Sequence, residues 1–232
     1  MVEAAPVLAL DEVAVRGPDY DIGLWNVSLE LHAGELALVL LDDAHRRFPL
    51  ADVAQGLVAP EHGVVRFAGV DWCAMRPRRA AQRRAAIGRV FGEEAWLPSM
   101  ATDENILVAQ LHHTRRRLRD LEDEACELAQ DFGLPGLPRS MPGRMLPPDL
   151  QRAALARAFL GECELLVLER PTKDIFPDVM PALVSKIRAA RRAGAAVLWM
   201  TSRLAVWNDR ALRPDRRFRV AGSRILPVEE EV

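Results

Sequence analysis

Lysine is nearly missing from this chain of 232 residues: Lys173 and Lys186 are the only two, and arginine carries almost all the positive charge. The formal net charge of −2 provides no overall pull toward nucleic acid or anionic membrane. Cysteine is also scarce. Cys73, Cys126 and Cys163 are isolated and odd in number, which excludes a disulfide framework and a metal-binding spacing and suits a reducing cytosol. The start of the chain lacks a charged-then-apolar signal, and no apolar run approaches membrane-spanning length, so a cytoplasmic protein is expected. What remains is ordinary for a globular protein: half the residues are apolar and 28% are charged. Such a chain can bury a substantial core, in one domain or one domain with two lobes.

The most informative stretch runs from Pro147 to Thr172. Leu150, Ala154, Leu155, Ala158 and Phe159 recur at helical spacing, with Gln151, Arg152 and Arg157 on other faces. Asp149 is the expected N-cap and Gly161 the expected stop. Leu165 to Leu168 then read as a strand buried on both faces of a parallel sheet, and Glu169 stands where it ends. In open α/β sheets that end is where ligands bind.

Upstream, Val7–Val15 and Leu24–Leu31 alternate as two antiparallel strands joined across Gly17-Pro18-Asp19, and Leu36–Leu41 is a buried strand after the turn Ala33-Gly34-Glu35. A basic helix follows Pro77, its Arg78, Arg79, Arg83 and Arg84 forming either a patch for an acidic partner or phospholipid headgroup or, as such runs more often do, a solvated face. Ile87–Phe91 is a strand, and Thr102 to Asp131 is helical. His112 and His113 are read as solvated, because adjacent helical positions diverge and no further ligand stands at i+4. Phe132 to Pro148 is a loop dense in proline and glycine. After Asp178–Arg192, a helix, and Ala195–Met200, a strand, the residues Phe218–Gly222 and Arg224-Ile225 close the chain before the acidic tail Glu229–Glu231.

This order, with Gln151-Arg152, the four-residue strand, Pro171-Thr172, Trp96-Leu97-Pro98 and Thr102–Ile106, resembles the ATP-binding subunit of an ABC transporter over Leu8 to about Leu226. The resemblance implies a P-loop NTPase-like α/β fold: a mostly parallel sheet core, N-terminal antiparallel strands and a helical lobe. It implies one domain, with the core lobe at about 1–92 and 149–232 and the helical lobe at about 93–148. Ile87–Phe91 with Asn105–Leu107 is faintly similar to subunits of bacterial lipid and solvent-resistance transporters of the mammalian-cell-entry type.

Against that pattern the nucleotide-contacting positions differ. A P-loop needs glycines whose N–H groups curl around phosphate, a lysine and a magnesium-binding hydroxyl. Here Leu41 and Arg46 stand at the glycine positions, Arg47 at the lysine and Phe48 at the hydroxyl, with Asp42 and Asp43 adding like charge. His45-Arg46-Arg47 is either an anion site at a helix N-terminus or a solvated basic loop paired with Asp42 and Asp43. Gly92 replaces the Q-loop glutamine. Met145-Leu146-Pro147-Pro148-Asp149 replaces Leu-Ser-Gly-Gly-Gln, and prolines have no N–H for a phosphate. Glu169 stands for the magnesium-binding aspartate, Arg170 for the catalytic glutamate, Phe176 for the D-loop aspartate and Ser202 for the switch histidine. Arg170 is expected to pair with Glu169, Asp174 or both, with a phosphate-binding role as the minority alternative.

Three functions are compatible with this pattern. One is a degenerate subunit, a pseudo-ATPase without cofactor. It would dock through Trp96, Leu97 and Pro98 on a membrane permease, or on another ABC subunit, at the inner face of the cell membrane. Any dimer would be independent of nucleotide, and solvent-exposed Trp96 is the expected anchor. The second is a divergent ATPase using ATP and magnesium, with Arg47, Glu169 and a partner's residues completing the site. The third is an anion-binding module built on His45, Arg46 and Arg47.

Overall fold

The computed structural model describes residues 5–16, 20, 22–42, 45, 47–93 and 95–228. The expected turn Gly17-Pro18-Asp19, the tail Glu229–Glu231 and the positions Asp43 and Arg46 lie outside the described residues.

Two sheets carry the chain. The smaller, antiparallel one contains β1 (Leu8–Val15), β2 (Leu24–Leu31), β4 (His62–Phe67) and β5 (Val70–Asp71) in the order β2-β1-β4-β5. Its alternation follows from burial of one face: Val27, Leu29 and Leu31 point into the core while Asn26, Ser28 and Glu30 are exposed. The larger sheet has the order β10-β9-β3-β8-β7-β6. Its parallel part is β9 (Arg216–Ala221), β3 (Leu36–Leu40), β8 (Ala196–Thr201), β7 (Leu165–Glu169) and β6 (Ile87–Val90), and β10 (Arg224–Pro227) adds an antiparallel edge.

Strands buried on both faces explain the unbroken apolar runs. In β3, Ala37 and Val39 enter the core under the antiparallel sheet, whereas Leu36 and Leu38 enter the core on the other face. In β7, Leu165 and Val167 divide from Leu166 and Leu168 in the same way. That second core is filled by α3 (Thr102–His113), α4 (Leu118–Asp131), α5 (Pro147–Phe159) and α6 (Met180–Arg192). The remaining helices are α1 (Leu50–Ala54), α2 (Pro77–Arg84) and α7 (Leu204–Trp207).

Local chemistry sets several boundaries differently from the sequence expectations. Helix α5 begins at Pro147, with Leu146 as its N-cap and no side-chain cap. Prolines fit the first turn because their missing N–H groups need no partner there. Asp149 therefore sits inside the helix and pairs with Arg152 at 3.1 Å instead of capping. Only half of the basic face of α2 is solvated. Arg83 bridges Glu164 at 3.3 Å, and Arg84 donates to the carbonyls of Gln55 and Gly56, while Arg78 and Arg79 are exposed. His112 and His113 meet edge to face, with ring centroids 4.7 Å apart. No helix among the described residues is long and apolar enough to cross a membrane.

Candidate functional site

The site lies at the carboxyl ends of β3, β7 and β6. After β3 the chain turns through Leu41, buried and tied by its N–H to the Thr201 carbonyl at 2.8 Å. The His45 ring is buried, with Nε2 2.8 Å from the Gly222 carbonyl, Nδ1 paired with the Asp42 carboxylate, and Phe48 edge-on at 5.2 Å. It faces its own chain and offers no free nitrogen to an anion. Arg47 is exposed and paired with Glu93 at 3.1 Å, and Phe48 is buried. Helix α1 has five residues and starts only after Pro49. Among the described residues, neither His45 nor Arg47 stands at the start of α1, whose N-cap is Pro49.

The centre is Arg89, a buried arginine within a strand whose sequence gives it no motif. Arg89 projects from β6 with a side chain only 6% exposed. It reaches Glu169 at 2.6 Å, Asp52 of α1 at 2.7 Å and the Gln55 amide oxygen at 2.9 Å. Its signal was its type: arginine is almost never fully buried without partners. Burial raises the Glu169 carboxyl above its ordinary value, against the opposing pull of Arg89 and a hydrogen bond from the Gly92 backbone. The desolvation cost exceeds the gain from pairing, as is common for buried ion pairs. A Cβ at Gly92 would lie 3.3 Å from Glu169 Oε2, so the position leaves little room for a longer side chain without movement of that carboxylate.

Arg170 turns the other way from the expected pairing with Glu169, which Arg89 takes instead. Its Nη2 donates to the His45 carbonyl at 2.9 Å, from a residue at φ +44°. The chain thus places its own guanidinium against the loop that follows β3. Gln151 donates to the Pro171 carbonyl at 3.0 Å, fixing the start of α5 to the turn after β7. Arg203 lies over the Phe176 ring at 4.8 Å, and Ser202 beside it is exposed. Pro147, Leu150, Gln151 and Arg157 of α5 line a shallow recess with Gly92, Trp96 and Lys173.

Trp96 is half-buried, not solvent-exposed as expected. It packs against the second core and covers the Arg157 guanidinium at 4.4 Å. Arg157 also donates to the Ala95 carbonyl at 2.7 Å. Burial, with Arg89 close by, pushes Arg157 down to about 10, still charged at neutral pH. The exposed apolar residue of the loop is Leu97, at 51%. Its backbone is shaped by buried Asn105, which accepts from the Leu97 N–H at 2.8 Å and donates to the carbonyls of Leu97, Met100 and Ala101. Glu104 accepts from the Ala101 N–H at 2.8 Å, and Thr102 is buried against the Ser140 carbonyl.

No family model matches the chain. Among known proteins it is 30% identical over 171 residues to the lipoprotein-releasing system ATP-binding protein LolD of Ruegeria sp. (strain TM1040), covering 70% of this chain and 75% of that protein. It is 28% identical over 200 residues to the phosphonates import ATP-binding protein PhnC 2 of Synechococcus sp. (strain JA-2-3B'a(2-13)), covering 83% and 74%. A bacterial ABC transporter cassette solved as a dimer superposes with a TM-score of 0.81 at 18% identity, over 94% of this chain and 96% of that one. Sharing that cassette fold and matching LolD over most of its length, the chain belongs to the ATP-binding subunits of ABC transporters.

Proposed function

We propose that this subunit is a pseudo-ATPase: it keeps the cassette as a docking body and has lost the cycle of nucleotide binding and hydrolysis. The observation that carries this reading is the pairing of Glu169 with Arg89, with Arg170 laid against the His45 carbonyl. Phosphoryl transfer works by positioning and charge stabilisation from several parts acting together. Here the carboxylate at the magnesium position is engaged by a guanidinium, and arginine stands at the position of the catalytic base. The start of α5 presents Pro147 and Pro148, which have no N–H to give a phosphate. With Arg89 held on Glu169 and prolines at the start of α5, the cleft offers a triphosphate and its magnesium no matching partners.

The retained loop Trp96-Leu97-Pro98 supports docking on a membrane permease. Asn105 and Arg157 hold this loop in shape through its own backbone. Leu97 supplies the exposed contact, and Trp96 serves as its backing. Location at the inner face of the membrane then follows from the partner, and any dimer forms without a nucleotide clamp. Pull-down from membranes with intact protein and with Leu97→Asp tests the reading. Loss of one membrane partner with the variant is expected; equal recovery, or no membrane partner with either, overturns it. A second reading, a divergent active ATPase, draws on the carboxylate kept at Glu169 and on relatives whose names read ATP-binding protein.

A further inference from the structure

We infer that the Arg89 guanidinium is the resident cation of a carboxylate site at the end of β7, doing there the work of a divalent ion. Glu169 at the tip of β7, Asp52 from α1 and the Gln55 amide oxygen converge on one group, at 2.6, 2.7 and 2.9 Å. Two carboxylates and an amide carbonyl are the hard oxygen donors that suit magnesium or manganese. They come from separate elements, so without a cation between them α1 and β7 would bring like charges together in a poorly solvated place. Tyr20 donates to the other Asp52 oxygen at 3.1 Å, and the Gly92 backbone hydrogen-bonds to Glu169, so the anions are oriented from outside as well.

An incidental buried ion pair would need only one acid. Arg89 holds both acids and Gln55 while its guanidinium lies 4.3 Å from the Phe91 ring centroid, and Arg157 lies against the same ring at 5.3 Å. The position matters as well, because the carboxyl ends of parallel strands are where an open α/β sheet receives its ligand. In this chain that place is filled from within, by a residue of the neighbouring strand. The fold therefore closes around its own cation and needs none from solution. This goes beyond the loss of ATPase activity, since a chain that binds no nucleotide has no inherent need for a built-in cation.

Thermal unfolding of the full chain, with and without manganese and with no nucleotide present, tests this. Wild type is expected to show the same Tm in both conditions. Arg89→Met is expected to melt lower and to recover by roughly 5 °C when manganese is in about hundredfold excess over its Kd. Arg89→Met combined with Glu169→Gln is expected to lose that response. A manganese-dependent rise in wild type, no response in Arg89→Met, or an equal response in the double variant would each overturn the inference. If Arg89→Met does not fold, the neutral but polar Arg89→Gln replaces it, read by manganese broadening of the Gly92 amide signal. Broadening in Arg89→Gln and none in wild type supports the inference; broadening in wild type, or none in either, overturns it. Because nucleotide is absent throughout, these outcomes are independent of whether the pseudo-ATPase reading stands.

Discussion

Gly88→Ala should be among the most damaging single-methyl changes in the protein. Gly88 sits in β6, where a Cβ would lie 1.9 Å from the Ala158 carbonyl oxygen and 2.7 Å from Leu166 Cδ2. Ordinary C···O contacts begin near about 3.3 Å, so α5 and β6 would have to part by roughly 1.4 Å. The obstructing atom is helix backbone and cannot rotate aside. Overpacking of a tight core costs about 1–3 kcal/mol, and a backbone clash belongs at the upper end. Replacing glycine within a strand returns about 0.5–1 kcal/mol, because alanine loses less conformational entropy on folding. Sterics win, and the net loss is about 2 kcal/mol, or roughly 4–8 °C in Tm for a chain of this size. Urea titration with an unchanged m-value gives the number. The same displacement carries Arg157 away from the Ala95 carbonyl, so emission from Trp96 should shift to the red. Stability within about 0.5 kcal/mol of wild type would refute the close-packing argument.

Glu169→Gln should reshape the pH dependence of stability. Burial raises the folded-state pKa of Glu169, so the folded chain binds more protons than the unfolded one, and the wild-type contribution falls as pH rises from roughly 4 through the raised value. Urea unfolding between roughly pH 4 and 8 should therefore show wild type losing ground to Glu169→Gln as pH increases; a flat or opposite difference contradicts the assignment. The thiols should also react unequally: burial pushes Cys163 up to about 11, whereas Cys73 is exposed. Iodoacetamide with mass-spectrometric readout should label Cys73 first, and prior labelling of Cys163 would show that its surroundings are open.

The framework was legible because its rules are local. Leu165–Leu168 reads as a strand buried on both faces from four apolar residues, and β2 reads as half-exposed from strict alternation. The site was harder, since its contacts join residues far apart in sequence. Arg89 meets Asp52 and Glu169 across 37 and 80 positions, which no spacing rule reveals. His45 reads as an exposed loop residue between charged neighbours, yet Gly222 at the other end of the chain receives its ring. Trp96 is expected outside as the anchor of an apolar docking loop. The indole turns inward because Arg157, itself largely buried, needs an aromatic face and a carbonyl. Helix ends depended on atoms the pattern cannot weigh, such as Pro49 before α1 and the two prolines that let α5 start without a cap.

The most direct measurement is calorimetric titration of the intact protein with MgATP, run beside phosphate release on the same sample. A cleft closed by Arg89 on Glu169 and by Arg170 on the loop after β3 should give no saturable heat up to millimolar nucleotide, about the weakest affinity commonly measured this way, and no turnover. Micromolar binding together with turnover abolished by Glu169→Gln would contradict the account and establish a divergent ATPase.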